Sequence, residues 1–301
     1  MSFGMHLPNL KHLRYLVALH QHQHFHKAAQ ACFVGQSTLS SAILKLEQQL
    51  GCQLIERDNK SFLFTSQGNA FVEKTRKLLV DANDLVNIAK QYGQTDGGVF
   101  NIGCIPTIAP YLLTDLVPTC QQTLKNLLIY FREDTTYNLL NMLKNGDLDV
   151  VILALPIAQS GFESQVVGKD HFFAAGDPKL MAKFSEKQDY QCLPEQSVFL
   201  LSNEHCLTKH AISACKLSDT SRINSFSATS LATLVQMTAY HQGFTFLPEM
   251  AVKKGLSKAE GLTIEKLSGN VYREISLMRR STSTETPIYQ KISAILINLL
   301  K

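Results

Sequence analysis

The chain has 301 residues, 45% of them hydrophobic, with a net charge of +4 and seven cysteines. That length provides for two or three domains with full cores, and no apolar run approaches the ~20 residues of a membrane span. The opening "MSFGMHLPNLKHLRY" has no apolar h-region, which predicts a cytoplasmic protein without a membrane partner; the odd, scattered cysteine count argues against a disulfide framework.

Residues 8–19, "PNLKHLRYLVAL", carry Leu10, Leu13, Leu16, Val17 and Leu19 at helical spacing. A short helix "KAAQAC" follows, turns at Gly35, and gives way to "QSTLSSAILKLEQQLG", apolar at Leu39, Ile43, Leu46 and Leu50 and stopped by Gly51. Two helices across so short a turn form a helix-turn-helix. "CQLIERDNKSFLFT" reads as two strands around Asp58-Asn59-Lys60, a wing. "SQGNAFVEKTRKLLVDANDLVNIAKQY" is one long helix striped by Phe71, Leu78, Leu79, Ala82, Leu85 and Ile88; such a helix buries its stripe against a twin, so a dimerising linker is expected. "GQTDGG" (93–98) breaks it.

From residue 99 strands and helices alternate. "VFNIGCI", "PYLLTDLVPTCQQTL", "NLLIYF", "TYNLLNMLKNG" and "LDVVILAL" make βαβαβ, hence a parallel sheet covered on both faces. "SVFLLS" is a further strand, "ATSLATLVQMTAYHQGFTFLPEM" a helix, turn and strand, and "YREISLMRR" with "PIYQKISAILINLL" a strand and closing helix that return to the first lobe. The fold class expected is α/β: a winged helix-turn-helix at 1–65, a linker helix at 66–94 and a two-lobe regulatory domain at 95–301. Lobe I takes 95–169 and 274–301, lobe II takes 170–273, and the cleft between them is the default ligand site.

Residues 1–65 hold six Lys/Arg against three acids, a small basic unit. Its third helix offers Gln36, Ser37, Thr38, Ser40, Ser41 and Lys45 on or near its outward side, amide, hydroxyl and amine groups suited to base edges and phosphates in a major groove. Arg57 and Lys60 of the wing would sit over phosphates. The alternative is a solvated polar helix face. "HQHQHFH" pairs His20 with His24 and His22 with His26 at i,i+4, but alternate residues of a helix point about 200° apart, so the four cannot share a face; exposed histidines, without metal, are expected.

Cys32, Cys52, Cys104, Cys120 and Cys192 sit in apolar patterns and read as small buried hydrophobes. Cys206 differs: it opens a helix after the strand at 197–202, where free backbone N–H groups and the dipole favour a thiolate, with His205, Lys209 and His210 within a turn. A zinc site over His205, Cys206, His210 and Cys215 is the rival, although its spacing matches none of the common structural patterns.

The stretch "FHKAAQACFVGQSTLSSAILKLEQQLGCQLIERDNKSFLFTSQG", with the linker and two lobes after it, resembles the LysR-type transcriptional regulators along the whole chain. "IPTIAPYLL", "YNLLNMLKNGDLDVVILAL" and above all "EHCLTKHAISAC" are similar to the peroxide-sensing members of that family. Gly35 and Ser37 stand where the family commonly has Ser and Pro, Leu44 where it often has a basic residue, and Thr208-Lys209 where peroxide sensors usually have Arg-Asp; Glu204 replaces a small residue.

The resemblance implies a periplasmic-binding-protein-like regulatory fold and a regulator that is not an enzyme and holds no cofactor. It implies double-stranded promoter DNA, RNA polymerase and further copies of the chain (homodimer or homotetramer) as partners, with hydrogen peroxide as the signal. A glutaredoxin- or thioredoxin-type reductant would reset it. On the same basis Cys206 is the peroxidatic thiolate, oxidised to sulfenic acid, and Cys215 the resolving thiol. Thr107, Thr136, His205 and Arg280 would surround the peroxide, with Arg279 standing in if the last strand is shifted by one. Were 206–215 wholly helical, the sulfurs would be separated by about 13.5 Å of rise, whereas a disulfide needs Cα atoms within about 7 Å. Pairing therefore requires this segment to unwind. Two other readings stand beside this one: a LysR-type regulator sensing a small metabolite in the cleft, and a thiol peroxidase using the same cysteines.

Overall fold

The computed structural model describes residues 7–58, 61–93, 98–157, 160–185, 190–202, 207–208, 211–212, 220–256, 261–283 and 285–301. Lys60, Glu204, His205, Cys206, Lys209, His210 and Cys215 lie outside the described residues. The chain divides into two compact units, Met1–Tyr92 and Gly93–Lys301.

In the first unit, α1 (Leu10–His22), α2 (Phe25–Ala31) and α3 (Gln36–Leu50) precede the strands β1 (Ile55–Arg57) and β2 (Phe62–Phe64) and the long helix α4 (Ser66–Gly93). Asn9 caps α1, its Oδ1 accepting from the Lys11 N–H at 2.8 Å. Leu13, Leu16, Leu19, Leu39, Ile43 and Leu46 form the core, as the helical spacing predicts, while Leu10 stays exposed. α1 runs one turn beyond residue 19 and stops at Gln23, whose φ of 48° ends the helical path. His24 then caps α2, its Nδ1 accepting from the His26 N–H, so the histidines divide between two helices. The wing pairs β1 with β2 antiparallel, Ile55 opposite Phe64. Glu47 of α3 fastens it by accepting from the N–H groups of Leu54 and Ile55 at 2.8 and 3.0 Å. A Cβ on Gly68 would lie 2.1 Å from the Leu54 carbonyl oxygen, so only glycine lets the first turn of α4 sit on the wing.

The second unit is built on β3 (Gly98–Cys104), β4 (Leu127–Glu133), β5 (Val150–Leu155), β6 (Phe162–Gly176), β7 (Val198–Leu201), β8 (Ile223–Ala228), β9 (Phe244–Pro248), β10 (Thr263–Lys266) and β11 (Tyr272–Arg280). Its helices are α5 (Ala109–Thr123), α6 (Thr136–Asn145), α7 (Pro178–Ser185), α8 (Leu231–Tyr240), α9 (Glu249–Lys253) and α10 (Pro287–Leu299). Among the described residues the strands run in the order β4-β3-β5-β11-β6-β9-β7-β8, with β10 also on β6. β3, β4 and β5 are parallel, as βαβαβ requires.

Two cores result. One packs α5, α6 and α10 on β3, β4 and β5; the other packs α7, α8 and α9 around β7 and β9. β6 and β11 pair antiparallel along the full length of β11 and carry the chain between the lobes. The 15-residue β6 is absent from the sequence reading.

Candidate functional site

On α3, Gln36, Ser37, Thr38, Ser41 and Lys45 are exposed, as the outward face predicts. Ser40 is half-buried and accepts from Arg57 Nη1 at 3.4 Å. Arg57 also pairs with Glu47 at 3.6 Å and lies 5.7 Å from the centre of the Phe25 ring. Its guanidinium thus ties the wing to α3. His20 is held between α1 and the linker helix, near Asn69 at 3.2 Å and Arg76 at 3.3 Å.

In the regulatory unit, Thr107 and Thr136 are brought to one end of the sheet. β3 and β4 are adjacent and parallel, Cys104 opposite Glu133; Thr107 lies just past the first and Thr136 opens α6 just past the second. Thr107 is buried, and Arg273 binds both its hydroxyl and its carbonyl. Nη1 donates to Thr107 Oγ1 at 2.8 Å and Nη2 to its carbonyl at 2.9 Å. Arg273 Nε and Nη2 meet Asp170 Oδ2 at 3.0 and 2.9 Å, both side chains almost wholly out of water. The other Asp170 oxygen accepts from the Met250 N–H at 3.0 Å, at the start of α9. One guanidinium and one carboxylate therefore link the loop after β3 to a helix of the second lobe.

Neighbouring groups feel that burial. The Tyr111 phenol is pushed up to about 12, by burial foremost, with Arg273 drawing it down and Glu133 adding to the rise. Burial likewise pushes the Cys104 thiol far up, so it stays a neutral thiol. Tyr111 packs against the core of the second lobe, and Lys254 beside α9 grips Asp115 of α5 at 2.7 and 2.8 Å, a second tie between lobes.

Arg280 does not join Thr107, and the expectation that it lines the pocket is corrected. Its Nη1 donates to the carbonyls of Leu143 and Leu148 at 3.0 and 2.9 Å, tying down the end of α6. It stands seven residues beyond Arg273 on β11, roughly 23 Å at strand rise. Arg279 pairs with Glu163 at the same far end. The signal that identifies Arg273 is strand direction. β11 runs antiparallel to β5, Glu274 opposite Leu155, so its first residues arrive where β3, β4 and β5 finish, and ligands gather at the carboxyl ends of parallel strands.

Between the two cysteine positions, Leu207, Thr208, Ala211 and Ile212 are helical. Leu207 and Ala211 are buried in the second core, and the buried Thr208 hydroxyl donates to the Leu201 carbonyl at 2.8 Å. Among the described residues, no cluster of His, Cys, Asp or Glu could hold a metal, and no helix is long and apolar enough to cross a membrane.

The profile of the bacterial regulatory helix-turn-helix proteins of the lysR family matches residues 10–69, and that of the LysR substrate binding domain matches residues 93–300. HTH-type transcriptional regulator EstR of Acinetobacter baylyi is 33% identical over 296 residues, covering 96% of this chain and 95% of its own length. The hydrogen peroxide-inducible genes activator of Haemophilus influenzae is 34% identical over 287 residues, 95% of each chain. Among solved structures, the reduced regulatory domain of OxyR2 from Vibrio vulnificus is 46% identical with a TM-score of 0.65, covering 68% of this chain and 97% of that one.

Proposed function

The chain belongs to the lysR family of bacterial helix-turn-helix regulators, and we propose that it is a peroxide-responsive member switched by a reversible Cys206–Cys215 disulfide. The observation that carries this reading is the anchoring of the segment between the cysteines. Leu207, Thr208, Ala211 and Ile212 are helical, and Leu207, Thr208 and Ala211 are buried. A chain helical from one cysteine to the other keeps the sulfurs about 13.5 Å apart in rise alone. On this reading, forming the bridge draws Leu207 and Ala211 from the core, at a cost of about 1.5–3 kcal/mol for the leucine. The oxidised form is then conformationally distinct and readily reduced, which a resettable sensor needs. The likeness to OxyR2 and to a peroxide-inducible activator supports the same oxidant.

The chemistry balances on two thiols. The Cys206 thiolate attacks one oxygen of hydrogen peroxide, the O–O bond breaks, sulfur keeps the hydroxyl as a sulfenic acid, and hydroxide leaves to take up a proton. Cys215 then attacks that sulfur and water leaves; two thiols and one peroxide give a disulfide and two waters. An external dithiol reverses it. Thr107, Thr136 and His205 are assigned to the peroxide pocket, with Arg273 in place of Arg280. The linker α4, which exposes Leu78, Leu85 and Val86, would pair copies into dimers and tetramers on promoter DNA, in reach of RNA polymerase.

Thiol trapping and mass measurement before and after one equivalent of peroxide tests the reading. Loss of two trappable thiols within one chain is expected. Cys206→Ser should lose the response outright, and Cys215→Ser should stop at a sulfenic acid captured by a dimedone-type reagent. Identical behaviour of the two variants would reject these roles. A second reading is a small metabolite bound in the cleft, since the chain is about as similar to EstR, a transcriptional regulator, as to the peroxide-inducible activator (33% and 34%). Under it, Cys206→Ser retains its DNA response.

A further inference from the structure

Lys45 does not stand on an isolated helix. The i,i+4 row Ser37–Ser41–Lys45 of α3 faces a second row, Lys11–Tyr15, on α1, and with His12 the two enclose an open concavity of about 440 Å³. Lys11, Ser41 and Lys45 are exposed, His12 is half-buried, and Tyr15 forms the floor at 8% exposure. The start of α1 is fixed from two sides. Asn9 caps the Lys11 N–H, and Gln49 of α3 donates to the Leu7 carbonyl at 3.1 Å. Lys11 therefore projects from a backbone that α3 itself positions. Among the described residues, no carboxylate lines the concavity.

Two ammonium groups, an imidazole and several hydroxyls around one hollow make a receptor for an anion. Which anion follows from the size of the DNA groove. A major groove about 12 Å wide admits a single helix, so with α3 inside it, α1 is left outside, over the phosphates along the edge. We propose that Lys11 and His12 of α1, together with Ser41 and Lys45 of α3, bracket one backbone phosphate of duplex DNA. This rests on the reading of α3 as the helix that enters the groove, and extends the DNA interface to the first helix of the chain. Such a contact positions the protein without reading sequence, so its loss weakens binding to every duplex alike and lowers salt dependence.

The test is fluorescence anisotropy of the full chain with a fluorescein-labelled random-sequence duplex, titrated at several salt concentrations. Lys11→Ala is expected to weaken binding and to reduce the slope of log affinity against log salt by about one. Lys11→Arg should keep both affinity and slope, which separates lost charge from misfolding. Lys45→Ala should lose a similar slope, and the double variant about two. A wild-type slope in Lys11→Ala, with the loss intact in Lys45→Ala, would overturn the phosphate bracket and leave α3 as the DNA helix. Absence of duplex binding by the wild-type chain would overturn both readings.

Discussion

The guanidinium of Arg273 lies out of water with one carboxylate, Asp170, to balance it, so removing either partner strands the other. Arg273→Met is expected to destabilise the regulatory unit by about 3–5 kcal/mol. Asp170→Asn should cost less in the Arg273→Met background than in the wild type. Urea unfolding of the four chains of this cycle provides the check, and strictly additive costs would show the pair to be uncoupled. The same residue marks a limit of sequence reading. "YREISLMRR" is legible as a strand, but local periodicity carries no direction, and direction decides which of its arginines reaches Thr107. Thr107 and Thr136 are named by the family resemblance and not by periodicity; each lies just past its strand, β3 or β4. Arg273 comes 166 residues after Thr107, and only the antiparallel register brings the two together.

At the scale of elements, the seam between α4 and the wing depends on a missing side chain. Leu54 offers its carbonyl to the Thr65 N–H at 3.0 Å, and Gly68 lets the next turn close over it. Gly68→Ala should favour the helix intrinsically by up to ~1 kcal/mol, yet the forced shift of backbone against backbone should outweigh that and destabilise by about 1–3 kcal/mol. A melting temperature of the first unit's transition that is unchanged or raised would contradict this. The helices of this unit and the βαβαβ strands were legible because their periodicity is local. β6 was not. Its first residues, "FESQ", leave Glu163, Ser164 and Gln165 exposed one after another, so no alternation announces a strand. Pairing with β11, more than a hundred residues later, is what makes it one.

Across the whole regulatory unit, Tyr111 reaches from one lobe into the core of the other. Its phenol, held up at about 12 chiefly by burial, favours the protonated folded form. Its contribution is fully present below the ordinary tyrosine value of about 10 and is lost as pH rises through about 12. Tyr111→Phe should remove that loss, so the wild type should fall relative to the variant across this window in urea midpoints. A constant difference would show that Tyr111 titrates as an ordinary tyrosine. The β6–β11 ribbon sets what such packing can transmit. Opposite Ile275 and Ser276 the partners are Gly168 and Val166, so Val167 is one residue too many in a single rail of the ladder. Transverse rungs resist sliding of one rail past the other but yield to torsion, and an extra residue concentrates the twist where it sits. The ribbon is therefore a torsion bar with its soft section near Val167. Rotation of one lobe against the other about this axis is the movement the ribbon itself would resist least, and it would work against the Lys254–Asp115 pair that also joins the lobes.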